Sequence, residues 1–127
     1  MHDKHLYEYA VIRVLPRVER EEFLNVGIII FCKNEKFLKV RFQLDESRLR
    51  CLCEDFDLDE ISKNLESFEK ICLGSLDGGP IAALDVPSRF RWLTATRSSV
   101  IQTSRPHPGM SNDLDATINR LFAELVL

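Results

Sequence analysis

The sequence predicts an α+β fold: an antiparallel sheet of about four strands, with three to four helices packed mainly on one face. Three observations lead there. Alternating segments rich in β-branched and aromatic residues fill the first third of the chain and are joined by short polar links, as in an antiparallel meander. From Asp45 onward the apolar residues fall at three- and four-residue spacing, which is helical. A further strand-like segment precedes a last helical stripe at the end of the chain. The 127 residues form a single domain, 1–127, long enough for one hydrophobic core.

The first strand covers Leu6 to Leu15 and ends at Pro16. Leu6, Ala10, Ile12 and Val14 lie on one face; Tyr7, Tyr9, Val11 and Arg13 lie on the other. Arg17 to Glu22 is nearly all charge and reads as a solvated connection. Phe23 to Cys32 is the most apolar stretch and is expected as a central strand covered on both faces. Strict alternation puts Asn25 and Gly27 on one face of it, beside Phe23, Ile29 and Phe31. That pair either pins a neighbouring loop or floors a small pocket. After the Lys33–Lys36 turn, Phe37 to Gln43 makes a third strand with Leu38, Val40 and Phe42 inward and Lys39 and Arg41 toward water.

Two helices follow. Asp45 to Asp55 carries Leu49, Leu52 and Cys53 with Phe56 just beyond; Asp57 and Glu60 then form a capping-box-like pair ahead of the stripe Leu58, Ile61, Leu65, Phe68, Ile71. Gly74 is the expected stop, and Asp77-Gly78-Gly79-Pro80 a break. Ile81 to Val86 is a short helix or a packed loop, and Pro87-Ser88 enters a helical turn that runs through Trp92. Val100 to Ser104 is the fourth strand. Ser111, Asn112 or Asp113 caps a final helix whose stripe of Leu114, Ile118, Leu121, Phe122 and Leu125 must dock on the sheet or on a second subunit, so a homodimer is one possibility.

Function is expected in the stretch Arg89 to Gly109. It holds Arg89, Arg91, Arg97 and Arg105 and the only tryptophan, with no carboxylate anywhere from Val86 to Asn112, in a chain of net charge −3. An acidic chain argues against a general nucleic-acid binder, whereas a local cationic patch suits a specific anionic partner. Arginine forks and the hydroxyls of Thr94, Thr96, Ser98 and Ser99 are the raw material of an oxyanion site. The same arginines can equally pair with acids elsewhere in the fold. His107, held between two prolines and followed by Gly109, reads as part of a rigid loop, either packed there or acting as an acid or base. Trp92 reads as a core anchor for the stretch.

Other chemistry finds no support in the sequence. No Walker loop, dinucleotide fingerprint, nucleophile elbow or H-E-x-x-H motif is present. Cys51 and Cys53 are not a C-x-x-C pair, and no cluster of Cys and His has zinc-ligand spacing, so neither metal nor cofactor is expected. The N-terminus lacks the apolar core of a signal peptide, and a cytoplasmic location with no membrane association is expected.

Y-A-V-I-R at Tyr9–Arg13, E-F-L-N-V-G-I-I-I-F-C at Glu22–Cys32, R-F-R-W-L-T-A-T-R-S-S-V-I-Q-T-S at Arg89–Ser104 and H-P-G at His107–Gly109 together resemble a small bacterial family described as domain of unknown function 3037, over essentially the whole chain. The resemblance implies a bacterial cytoplasmic protein without an assigned activity, so no catalytic residue is carried over. Family members are often encoded beside a HipA-like kinase, which implies a partner or regulator role.

Three functions are therefore expected, in order. The first is a non-enzymatic interaction or accessory module with an anion-friendly arginine surface, a partner of a HipA-like kinase or of another protein. The second is a small enzyme or binding protein for a phosphorylated or nucleotide ligand, with Arg97 and His107 converging near Asn25 and Gly27. The third is a binder of single-stranded nucleic acid. Arg89, Arg91, Arg97, Arg105, His107, Asn25, Gly27 and Ser98 are the candidate ligand residues.

Overall fold

The computed structural model describes residues 4–97 and 99–127. Among these lie five strands and four α-helices: β1 (His5–Val14), β2 (Leu24–Cys32), β3 (Phe37–Phe42), α1 (Glu46–Leu52), α2 (Leu58–Leu73), α3 (Val86–Leu93), β4 (Ile101–Thr103), β5 (His107–Ser111) and α4 (Leu114–Leu125). The sheet is open and antiparallel, in the order β3-β2-β1-β4, and β5 also pairs with β1.

Alternation along the strands splits the apolar residues between two layers. Ala10, Ile12, Val14, Ile29 and Phe31 pack against Leu49 of α1, Ile61, Leu65 and Phe68 of α2, and Phe90 and Leu93 of α3. Tyr7, Val11, Ile28, Ile30 and Cys32 face the other way and meet Ile118, Leu121 and Phe122 of α4. Three helices thus cover one face and one covers the other. The apolar stripe of α4 is used up on its own sheet, and its polar side ties down β3: Lys39 bonds Asp115 at 2.8 Å, Arg41 bonds Asn119 at 2.8 Å, and the Arg41 guanidinium lies over Phe122.

Each α-helix opens on an aspartate whose carboxylate accepts an otherwise unpaired amide of the first turn. Asp45 takes Arg48 N at 3.2 Å, Asp57 takes Glu60 N at 3.1 Å, Asp85 takes Ser88 N at 2.9 Å and Asp113 takes Ala116 N at 3.1 Å. At the far end of α4 the carbonyls are held by side chains from elsewhere: Asn25 donates to Leu125 O at 3.1 Å and Arg48 to Val126 O at 2.7 Å.

Two bulges interrupt the ladders of β1, and both change where candidate residues point. In the first, Ile12 pairs with Gly27 but Arg13 pairs with Asn25, so Val26 is an extra residue on β2. The extra residue inverts the alternation. Asn25 and Gly27 therefore do not share a face as expected. Asn25 turns toward the end of α4, whereas Gly27 lets β3 come close: a Cβ there would stand 2.6 Å from Arg41 O and 2.7 Å from Phe42 Cβ.

The second bulge separates β4 from β5. Arg13 pairs with Gln102 and Tyr9 with His107, one residue more on the outer chain than regular pairing allows. Ser104 bridges the irregularity, its amide donating to Val11 O at 2.9 Å and its hydroxyl accepting Val11 N at 2.9 Å. The expected rigid loop around His107 is thus a strand. Pro108 is tolerated because β5 lies at the sheet edge: opposite Glu8, it has no N–H to give and occupies a place whose amide direction is away from β1. Gly109 serves packing rather than an unusual turn, since the Tyr7 ring lies across it where a side chain would stand.

Candidate functional site

Three separated segments meet at the end of the sheet where β1, β4 and the start of β2 come together. They surround a surface cleft of about 410 Å³. Arg13 comes from β1, Phe23 from the approach to β2, Thr96 and Arg97 from the link after α3, and Gln102 from β4; Leu15, Val18 and Glu21 complete the wall. Arg13 and Gln102 are directly opposed across the ladder. Three of the four stretches that carry the family resemblance, those at Tyr9–Arg13, Glu22–Cys32 and Arg89–Ser104, contribute lining residues to this cleft, and His107–Gly109 does not.

Both arginines sit over aromatic rings. The Arg13 guanidinium lies 4.1 Å from the centroid of Phe23, and that of Arg97 lies 4.1 Å from the centroid of Trp92. Such stacking holds a long side chain in one place while leaving its in-plane N–H edges for other partners. Arg97 also donates from Nη2 to Trp92 O and from Nε to Ala95 O, while Arg13 Nε is buried without a hydrogen-bond partner. Trp92, expected as a core anchor, is instead 38% exposed, because α3 buries Phe90 and Leu93 and turns Trp92 outward under Arg97. Glu21, which also lines the cleft, has a left-handed backbone with φ 55°, a costly conformation for a non-glycine residue that is often found at functional positions.

Directly beside the cleft is a smaller hollow of about 90 Å³, lined by Phe68, Ile71, Leu93 and Ile101, with Asn64 and Ser67 among its polar residues. Arg97 and Gln102 line both spaces and form the wall between them. Gln102 is fixed by its own bond from Nε2 to Ser99 O at 2.9 Å.

The other expected site residues are dispersed. Arg89 donates to Leu84 O at 2.8 Å, and its guanidinium stands close to Gly74 at the end of α2. Arg91 lines a different cleft, about 480 Å³, with Lys33, Glu8, Asp85 and Pro108. Arg105 is exposed at the second bulge. His107 is exposed on β5 with its ring 5.4 Å from that of Tyr9. Tyr9 and Arg13 are four residues apart, about 13 Å of strand. His107 and Arg97 therefore do not converge, and neither Asn25 nor Gly27 lines the cleft of Arg97. Ser98 lies outside the described residues. Among the described residues, Arg89 and Arg97 bond carbonyl groups and Arg97 stacks on an aromatic ring, where pairing with acids elsewhere in the fold was the alternative.

Arg13 was the residue that sequence reasoning passed over. An arginine alternating with apolar residues reads as the wet face of a strand; only the Gln102 register and the return of Phe23 reveal its position. Among the described residues no group of three or more His, Cys, Asp or Glu could hold a metal ion, and no helix is long and apolar enough to cross a membrane. Burial pushes the Cys72 thiol up to about 12, so it is a packed, protonated group. The Asp85 carboxyl is held below the usual carboxylate range by its hydrogen bonds from Ser88.

Residues 9–126 match the family model described as Protein of unknown function (DUF3037). No curated protein and no solved structure matches the chain. The chain belongs to the DUF3037 family.

Proposed function

We propose that this member of the DUF3037 family is a non-enzymatic interaction module that receives an anionic group of a protein partner in the Arg13–Arg97 cleft. One observation carries the proposal: two guanidiniums, each over an aromatic ring, border the same cleft with Thr96 and Gln102. Such an array supplies planar N–H donors together with a hydroxyl and an amide, the set that a carboxylate or phosphate needs. Among the described residues the cleft is lined by no histidine or cysteine. A HipA-like kinase is the partner class proposed with this reading, on the strength of the family resemblance, in a bacterial cytoplasm.

The test is to titrate the purified chain with phosphate and acetate while following Trp92 emission, then to capture partners from the native host with wild type, Arg13→Gln and Arg97→Gln. Saturable emission changes and a partner lost by both variants support the proposal. Anions without effect, together with the same partner retained by both variants, overturn it. A second reading is favoured by the exposure of Phe23 and Trp92, 43% and 38%, beside the cationic cleft: a nucleotide or single-stranded nucleic acid could stack there. Its signature is binding that weakens steeply with salt, read by a gel shift across ionic strength.

A further inference from the structure

We infer that the free border of β3 takes up an extended segment of a partner protein, in which acidic and apolar residues alternate, as an extra antiparallel strand. This surface does not depend on the Arg13–Arg97 cleft, because β3 and β4 stand at opposite ends of the order β3-β2-β1-β4.

Register decides which backbone groups are free. Gln43 N donates to Val26 O at 2.7 Å, and β2 and β3 keep that register from Gly27 opposite Phe42 to Cys32 opposite Phe37. Bonded and non-bonded pairs alternate in an antiparallel ladder. Arg41, Lys39 and Phe37 therefore turn their N–H and C=O groups toward β2, whereas Phe42, Val40 and Leu38 turn theirs outward. Among the described residues no other strand, turn or cap gives these outward groups a backbone partner. Phe37–Phe42 contains neither proline nor glycine, so another strand can pair along its whole length.

Side chains define the occupant. Lysine at a border usually deters pairing, but here both cations lean toward α4. Lys39 Nζ lies 2.8 Å from Asp115 and Arg41 Nη1 lies 2.8 Å from Asn119, with the Arg41 guanidinium over Phe122. Both remain exposed on that face, and an acidic residue set opposite either one is attracted. On the other face Leu38, Val40 and Phe42 are half-buried against the layer of α1, α2 and α3, and an apolar neighbour extends that contact. A second copy of this chain fits less well. Antiparallel pairing of two β3 strands about Val40 sets each Lys39 opposite an Arg41, and like charges so placed repel. Main-chain bonds thus supply the affinity and the acidic–apolar alternation the selectivity, as when other peptides lengthen a sheet.

The experiment uses the full chain and short peptides blocked at both ends, alternating valine with glutamate or valine with lysine. Binding is read by calorimetry and by hydrogen exchange at single amides. The free chain should exchange Leu38, Val40 and Phe42 faster than Lys39 and Arg41, and the valine–glutamate peptide should slow the first set alone. The lysine version is expected to bind about tenfold more weakly. Methylating the valine amides of the peptide, which face β3 in antiparallel pairing, abolishes binding, and methylating the glutamate amides spares it. Lys39→Gln, at an exposed position, keeps the fold and weakens the glutamate peptide about threefold. Equal binding of the two peptides overturns the inference, as does silence toward both. A loss from methylated glutamates that matches or exceeds the loss from methylated valines also overturns it. So does a chain that sediments as a dimer with Leu38, Val40 and Phe42 already protected, since a second copy then occupies the border.

Discussion

The Arg97 guanidinium carbon lies 4.1 Å from the centroid of the Trp92 ring, and that ring is otherwise 38% exposed. Arg97→Ala uncovers it. The expected result is a red-shifted emission maximum and a stability loss of about 0.5–1 kcal/mol, the usual worth of an exposed cation–π pair. Emission spectra and urea titrations check this, and an unchanged maximum contradicts the stack.

Gly27→Ala places a methyl group against Arg41 O and the Phe42 side chain at 2.6 and 2.7 Å. Most of what it meets is strand backbone, so β3 must shift. Overpacking of this kind costs about 1–3 kcal/mol. A lowered urea midpoint measures it, and wild-type stability would show that β2 and β3 are further apart than described.

Ser104→Ala removes the hydroxyl that accepts the buried Val11 amide at 2.9 Å. An unpaired buried donor costs about 1–3 kcal/mol. Hydrogen exchange at Val11 should quicken more than at Ile12, whose amide is not served by Ser104. Equal acceleration at both positions would mean general loosening instead.

Much of the fold was legible because apolar spacing and aspartate caps act locally. The stripe from Leu58 to Ile71 and the capping pair Asp57–Glu60 identify α2 without knowledge of its neighbours, and β2 is recognisable by its run of buried residues. The site was harder to read. Alternation assigns faces only while pairing is regular, and the extra residue Val26 turns Asn25 away from Gly27. Pro108 and Gly109 resemble a loop in composition, yet an edge strand accepts them because one side of its backbone needs no partners. Trp92 and Arg97 were recognised as important residues, but the one was assigned to the core. Their mutual stacking depends on where α3 turns, which sequence spacing does not encode.

Thiol reactivity should divide the four cysteines. Cys51 is exposed and Cys53 partly so, whereas Cys32 and Cys72 are buried. At pH 8 an aromatic disulfide reagent is expected to modify Cys51 fastest and to reach Cys32 and Cys72 only on unfolding. For Cys72 the folded thiol titrates near 12 against a reference of 9.0. The folded state therefore holds the proton more tightly, and its stability falls as pH rises from about 9 toward 12. Urea midpoints across that range, compared with Cys72→Ala, isolate the contribution; a variant with the same alkaline slope would rule it out.

A strand that joins the outer side of β5 must receive hydrogen bonds as well as give them. Along that side Pro108 offers no donor, and neither does Pro106 just before it. An incoming chain would meet carbonyl oxygens with few amides to match. The sheet is thus finished at this border, and molecules crowded together cannot polymerise by strand addition there. The price of that protection is small, because one residue of slack at Arg105–Pro106 lets the prolines sit without disturbing β1.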